Sequence, residues 1–159
     1  MPAMTDPHVG LISFQEALDN NLLELHKCTV HPDLSLHFDQ PEGEARFTYA
    51  LIEDGKVKAT AIFVQDEVME DGLPCFGLGY AVAEDYRGQG LGYVVVEKSL
   101  AEFENGMKRH IPKFYVETIV DKGNIPSQKI SARHINPESN EVTDQYSQTP
   151  SYHYEKLIG

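Results

Sequence analysis

The sequence predicts an α+β fold with a mixed, mostly antiparallel sheet of about six to seven strands flanked by helices. Three observations carry this. The first half reads as a helix followed by strands joined as hairpins. A glycine-rich turn, Arg87-Gly88-Gln89-Gly90-Leu91-Gly92, passes one strand-like run directly into an amphipathic helix-like run. The second half then alternates strand and helix before closing on two more strands, so both kinds of element share one core.

In chain order, Ser13-Phe14-Gln15-Glu16 has the form of a capping box, with Ser13 as N-cap and Glu16 at the third helical position. Phe14, Leu18, Leu22 and Leu25 would share one face of a helix from about 14 to 27. Residues 28–45, with Pro32, Pro41 and Gly43, read as irregular. Arg46 to Ile52 alternates, with Phe47, Tyr49 and Leu51 on one face, and Asp54-Gly55 is a hairpin turn leading to a partner strand, Val57 to Val64. An acidic connection, Gln65 to Leu73, precedes the run Phe76-Gly77-Leu78-Gly79-Tyr80-Ala81-Val82.

After the glycine turn, Leu91, Val94, Val95, Leu100 and Phe103 fall at helical spacing, giving a helix to about 105. Lys113 to Val120 is rich in β-branched and aromatic residues and reads as a strand. Asn124 is a good N-cap and Pro126 suits the first turn of a helix that ends before Pro137. Glu141 to Ser147 and Ser151 to Leu157 read as two closing strands around Thr149-Pro150.

The 159 residues suit a single domain, 1–159, with a substantial core. No apolar stretch is long enough to span a bilayer, and Met1 to Asp6 lacks the basic and apolar regions of a signal peptide, so a cytoplasmic location is expected. Two cysteines, Cys28 and Cys75, make no disulfide framework. A net charge of −12 argues against nucleic acid or an anionic membrane as partner, because phosphate contacts need clustered Lys and Arg. It is compatible with a cationic substrate, and equally with an acidic surface that serves solubility. His31 and His37 lack metal-ligand spacing, and no metal is expected.

A glycine turn that opens a helix presents free backbone N–H groups and the positive end of the helix dipole, which suits a phosphate or pyrophosphate. The chain has no G-x-x-x-x-G-K-[ST] string, so the turn is not a P-loop. Gly88, Gly90 and Gly92 give G-x-G-x-G with Tyr93 following, which is not the G-x-G-x-x-G of a dinucleotide fold.

Arg87, Gly90 and Gly92 give Arg-x-x-Gly-x-Gly, which resembles the acyl-CoA pyrophosphate loop of the GNAT N-acetyltransferase superfamily. The order of elements resembles the layout of that acyl-CoA N-acyltransferase fold across nearly the whole chain. Asn124-x-x-Ser127 after the next strand is similar to the family's Asn-x-x-Ser pattern. Members often end that helix in Gly-Phe, whereas this chain has Ile135-Asn136.

The resemblance implies that acetyl-CoA is the cosubstrate, lying where the strands carrying residues 76–82 and 113–120 diverge. Gly77 and Gly79 suit a bulged or closely approached strand. Backbone groups of Tyr80, Ala81 and Val82 would pair with the pantetheine arm, and an N–H at or near Val82 would polarise the thioester carbonyl. The amides of Gly88, Gln89, Gly90, Leu91, Gly92 and Tyr93 would hold the pyrophosphate, with Asn124 and Ser127 alongside. Gln89 offers a further side-chain contact, and Arg87 either binds phosphate or stays on the surface.

The implied reaction is direct attack of a primary amine, on a small molecule or a protein, within a ternary complex. An ammonium group must first lose a proton. Glu117, an acid inside an otherwise apolar strand, matches a place where family members carry the base; the plain alternative is an exposed strand glutamate. The family's proton-donating tyrosine aligns with Ser131, which leaves Tyr115, Tyr146, Tyr152 and Tyr154 as phenols to consider. Cys75 lacks a partnering histidine in sequence and reads as a small apolar residue rather than a nucleophile. Asp33, Asp39, Glu42, Glu44, Asp66, Glu67, Glu70 and Asp71 would attract a cationic acceptor or simply solvate their loops. The other reading is a catalytically silent acyl-CoA-binding regulatory domain. A homodimer is compatible with either.

Overall fold

The computed structural model describes residues 6–144 and 148–159. The elements follow in the order α1 (Pro7–Asp19), β1 (His26–Lys27), β2 (Leu34–Asp39), β3 (Arg46–Glu53), β4 (Lys56–Gln65), β5 (Cys75–Val82), α2 (Leu91–Met107), β6 (Phe114–Asp121), α3 (Ile125–His134), β7 (Asn140–Thr143) and β8 (Pro150–Ile158). The strands form one sheet in the order β1-β2-β3-β4-β5-β6-β8-β7. Among the described residues, only the β5–β6 neighbours are parallel, because α2 carries the chain back across the sheet between them.

The first helix starts earlier than expected. Asp6 caps it by accepting a 2.9 Å hydrogen bond from the His8 N–H, and Pro7 occupies the first turn. Ser13 and Glu16 therefore lie inside α1 and form no capping box. The helix stops at Asp19, Asn21 turns into the left-handed region (φ 55°), and Leu22 is left exposed. Leu11 and Phe14 are the residues that anchor α1, against Ala50 and Val57.

The segment expected to be irregular contains β2, which pairs with β3 from Leu34↔Leu51 to Asp39↔Arg46. Leu34, Leu36 and Phe38 alternate with Ser35, His37 and Asp39, a strand period obscured by the neighbouring prolines. With the two-residue β1 this raises the count to eight strands among the described residues. The Asp54-Gly55 turn behaves as expected: both residues have positive φ (51° and 74°), as a tight hairpin between β3 and β4 requires. Of the expected strand 141–147, β7 covers Asn140–Thr143, and Gln145, Tyr146 and Ser147 lie outside the described residues. In space β8 inserts between β6 and β7.

The main core lies between the sheet and the α2–α3 face. Phe103 of α2 stacks on Phe63 (centroids 4.2 Å apart) and meets Phe47, Phe76 and Phe114 edge-on. Along β6, Phe114, Val116, Thr118 and Val120 are buried on this face. Strand alternation sends Tyr115, Glu117, Ile119 and Asp121 to the opposite face. Among the described residues, no helix is long and apolar enough to cross a membrane.

Candidate active site

The parallel pairing of β5 and β6 covers only Cys75↔Tyr115, Phe76↔Val116 and Gly77↔Glu117. Beyond that point β5 stays with β4 as far as Val82↔Ala59, and β6 stays with β8 as far as Asp121↔Ser151. The two strands therefore part. A cavity of about 720 Å³ fills the fork, walled by Leu78 to Val82 on one side and Thr118 to Asp121 on the other. The β4–β5 register runs without a shift, so Gly77 and Gly79 mark no bulge; Gly79 lines the cavity.

The open end of the fork is closed by the glycine turn and the starts of α2 and α3. Gly90 is the N-cap of α2, left-handed at φ 76° and without a side-chain cap, so the helix start keeps free N–H groups. Gly88 is also left-handed (φ 80°), and a Cβ on either glycine would point into open space. Gly92 lies where α2 meets α3: a Cβ there would stand 2.9 Å from Ile130 Cδ1, the flexible end of that side chain. Asn124 caps α3 through a 3.2 Å bond from the Ser127 N–H, and both residues line the cavity.

Of the residues expected to meet the cosubstrate, Tyr80, Ala81, Val82, Arg87, Gly88, Gly90, Leu91, Gly92, Tyr93, Asn124 and Ser127 line this cavity. Gln89 is exposed and does not. The Arg87 guanidinium is engaged by protein: Nε donates to the Val82 carbonyl at 3.3 Å, and a terminal nitrogen lies 3.3 Å from His8 Nδ1. Arg87 thus ties the turn to the end of β5 and to α1, whose Asp6, Pro7 and His8 add an unforeseen wall.

Ser131 is fully buried and hydrogen-bonded to Thr118 Oγ1 at 2.9 Å, so it braces α3 against β6 and does not face the cavity. The phenol that does reach across is Tyr80, expected to contribute only its backbone. Its hydroxyl donates to the Ser127 carbonyl at 3.3 Å, and burial raises its pKa, so it keeps its proton. Of the tyrosines considered from sequence, Tyr115 donates to Asp71 at 2.8 Å, Tyr154 is buried, Tyr152 lies under Lys122, and Tyr146 falls outside the described residues.

Glu117 sits at the base of the fork opposite Gly77, a position with no side chain to fill the space above it. Its Oε2 lies 2.8 Å from His153 Nε2, and the two side chains are 14% and 19% exposed. Asp66, from the β4–β5 connection, shares a hydrogen bond with Glu117. Burial works against the charged form of Glu117, but hydrogen bonds from His153 and Asp66 prevail and hold its pKa at about 2. Burial and the Glu117 charge push Asp66 up to about 7, while the hydrogen bond to Glu117 raises His153. Burial also raises the Cys75 thiol, which leaves it a poor nucleophile.

A second cavity, about 540 Å³, opens on this side and is lined by Asp66, Glu67, Glu70, Asp71, Cys75, Tyr115 and Glu117 among others. The sequence marked the acidic loop but gave no sign that it meets Glu117. The loop acids 33 and 39 are engaged in ion pairs, Asp33 with Lys98 and Asp39 with Arg46. Among the described residues, no group of three or more His, Cys, Asp and Glu side chains is gathered to hold a metal ion.

Residues 24–133 match the family model described as the acetyltransferase (GNAT) family. Solved structures share the fold at low identity. An acetyltransferase of the GNAT family from Streptococcus pneumoniae is similar over 72% of this chain and 67% of its own, at 18% identity and a TM-score of 0.53. The ribosomal-protein-S5-alanine acetyltransferase from Vibrio fischeri is similar over 99% of this chain and 77% of its own, at 12% identity and a TM-score of 0.53. The aminoglycoside N(6')-acetyltransferase from Legionella pneumophila is similar over 72% of this chain and 63% of its own, at 18% identity and a TM-score of 0.52. No curated protein matches the sequence.

Proposed function

The chain belongs to the GNAT acetyltransferase family, and from that premise we propose that it transfers an acetyl group from acetyl-CoA to a primary amine by direct attack. The observation that carries this reading is the fork between β5 and β6, closed at one end by an uncapped helix start and at the other by Glu117. The fork leaves the β6-facing edge of residues 78–82 free to pair with an amide-bearing arm. The N–H groups at the start of α2 suit a pyrophosphate.

In this reading the amine enters from the acidic cavity, where a positive acceptor is favoured by the carboxylates around it. Glu117 takes a proton from the ammonium so that the nitrogen lone pair can attack the thioester carbonyl. A backbone N–H of β5 near Val82 steadies the developing oxyanion. The Tyr80 phenol, rather than Ser131, returns a proton to the departing thiolate; its reach across the fork to the Ser127 carbonyl and the burial of Ser131 support this choice. A catalytically silent domain is the alternative that Ser131 in place of a tyrosine would favour. The Glu117–His153–Asp66 cluster beside the fork favours the enzyme.

The test pairs binding with turnover. CoA at a hundredfold excess over its Kd should add about 2.7 kcal/mol of stability, visible as a rise in Tm. Thiol release from acetyl-CoA should then require an added amine, with polyamines, aminoglycosides and Lys-rich peptides as the first panel. Binding without turnover on any amine would favour the silent domain, and no binding at all would remove both readings.

A further inference from the structure

We propose that Glu117 and His153 act as one base, in which Glu117 meets the acceptor amine and His153 stores the proton that Glu117 removes. This rests on the acetyltransferase reading given above. The two side chains project from β6 and β8 on the same face of the sheet, with Nε2 and Oε2 2.8 Å apart. Glu117 lines the acidic cavity, whereas His153 does not, so the imidazole stands behind the carboxylate as the acceptor would see it.

The groups facing the imidazole are of one sign. Glu117 comes from β6, Glu155 from β8 itself, directly opposite Glu117 in the strand register, and Asp66 from the β4–β5 connection. Cys75 of β5 meets Glu117 as an un-ionised thiol, and the neutral Asn140 of β7 is the register partner of His153. Each of these carboxylates favours the protonated ring, and the hydrogen bond that the ring donates to Glu117 does so most.

The chemical consequence concerns basicity. A lone carboxylate has a pKa of about 4.3, roughly six units below an alkylammonium, and is a weak proton acceptor near neutral pH. A carboxylate–imidazole pair that has lost its shared proton takes one up in the imidazole range. A proton leaves the ammonium nitrogen for the Glu117 carboxylate. A proton then passes from Oε2 to Nε2 of an imidazole whose remaining hydrogen is on Nδ1. The amine is left neutral, and the pair ends as carboxylate and imidazolium. The ring later releases its proton to water. His153 touches neither substrate, so it is a positioning and proton-storing residue rather than a catalytic one.

The experiment compares the pH dependence of kcat/KM for the unaltered protein, His153→Asn, Asp66→Asn and Glu117→Gln, with acetyl-CoA affinity measured alongside. The unaltered protein should show a rising limb above pH 6.5. In His153→Asn that limb should move below pH 6, with kcat about ten- to a hundredfold lower and acetyl-CoA affinity unchanged. Asp66→Asn should keep the limb in the imidazole range. A structural role alone would lower activity without moving the limb. NMR titration of the His153 ring in the unaltered protein should give a pKa above 6.5 that falls in Glu117→Gln; this decides the matter even if His153→Asn folds poorly. A ring that stays neutral from pH 6 upward, or a limb that follows Asp66→Asn instead, would overturn the pairing. Normal turnover by Glu117→Gln would likewise overturn the pairing, whereas an unaltered protein that turns over no amine would remove the acetyltransferase reading beneath it.

Discussion

Gly77 and Glu117 form the last paired position between two parallel strands, and past them β5 and β6 separate. The pairing places a carboxylate opposite a residue with no side chain, at the floor of a fork some five residues deep on the β5 side. The free edge of β5 thus runs from the position opposite Glu117 to the phosphate-suited turn.

Glu117→Gln should leave acetyl-CoA binding intact and lower turnover by about a hundred- to ten-thousandfold. The change is nearly isosteric, so the cavity keeps its shape. Calorimetry of acetyl-CoA binding beside a thiol-release assay checks both halves, and a mutant that turns over at the parental rate would return Glu117 to the status of an ordinary strand acid.

Gly90→Val and Gly92→Ala should behave differently. Position 90 needs φ near 76° and faces open space, so valine strains the turn and fills the approach to the helix start. CoA binding should be lost with most of the fold retained. Position 92 faces only Ile130 Cδ1 at 2.9 Å, the far end of a flexible side chain, so a methyl is met by a small shift of Ile130 and the melt should move little. Thermal melts with and without CoA separate the two effects.

Asp66 has a folded pKa raised to about 7. Its protonated form is the one the fold favours, so it imposes no penalty below the unfolded carboxylate value. The penalty grows as pH rises through 7. Asp66→Asn should therefore stabilise the protein at pH 8, by on the order of 1 kcal/mol or about 2–4 °C in Tm once solvent screening is allowed for, and do little at pH 4. Glu117 has the opposite sign: its pKa is depressed to about 2, so the stability it contributes is present above the unfolded value near 4.3 and is lost as pH falls toward 2. Melts across pH 2–9 report both.

Glu102 is 6% exposed on α2, and its two oxygens accept the N–H groups of Val30 and His31 at 2.9–3.1 Å. Glu102→Ala should strand those donors and destabilise by about 1–3 kcal/mol, with faster amide exchange around residues 28–33 as the local readout. An unchanged melt with unchanged exchange would show that water replaces the carboxylate there.

Much of the molecule was legible in the chain itself. The left-handed glycines at 88 and 90, the Asn124 cap, the Asp54-Gly55 hairpin and the helical spacing from Leu91 to Phe103 depend on interactions within a few residues, so local sequence determines them. The start of α1 is local as well: Asp6-Pro7 encodes it, and the capping pattern at Ser13 falls inside the helix that it begins. The site's chemistry was decided elsewhere. His153 meets Glu117 across 36 positions of sequence, Asp66 joins them from a loop, and Tyr80 spans a fork that exists only because β5 and β6 stop pairing at Gly77. Strand register places these groups together, and register is settled by which faces of distant strands bury one another, a long-range packing choice that no local pattern carries.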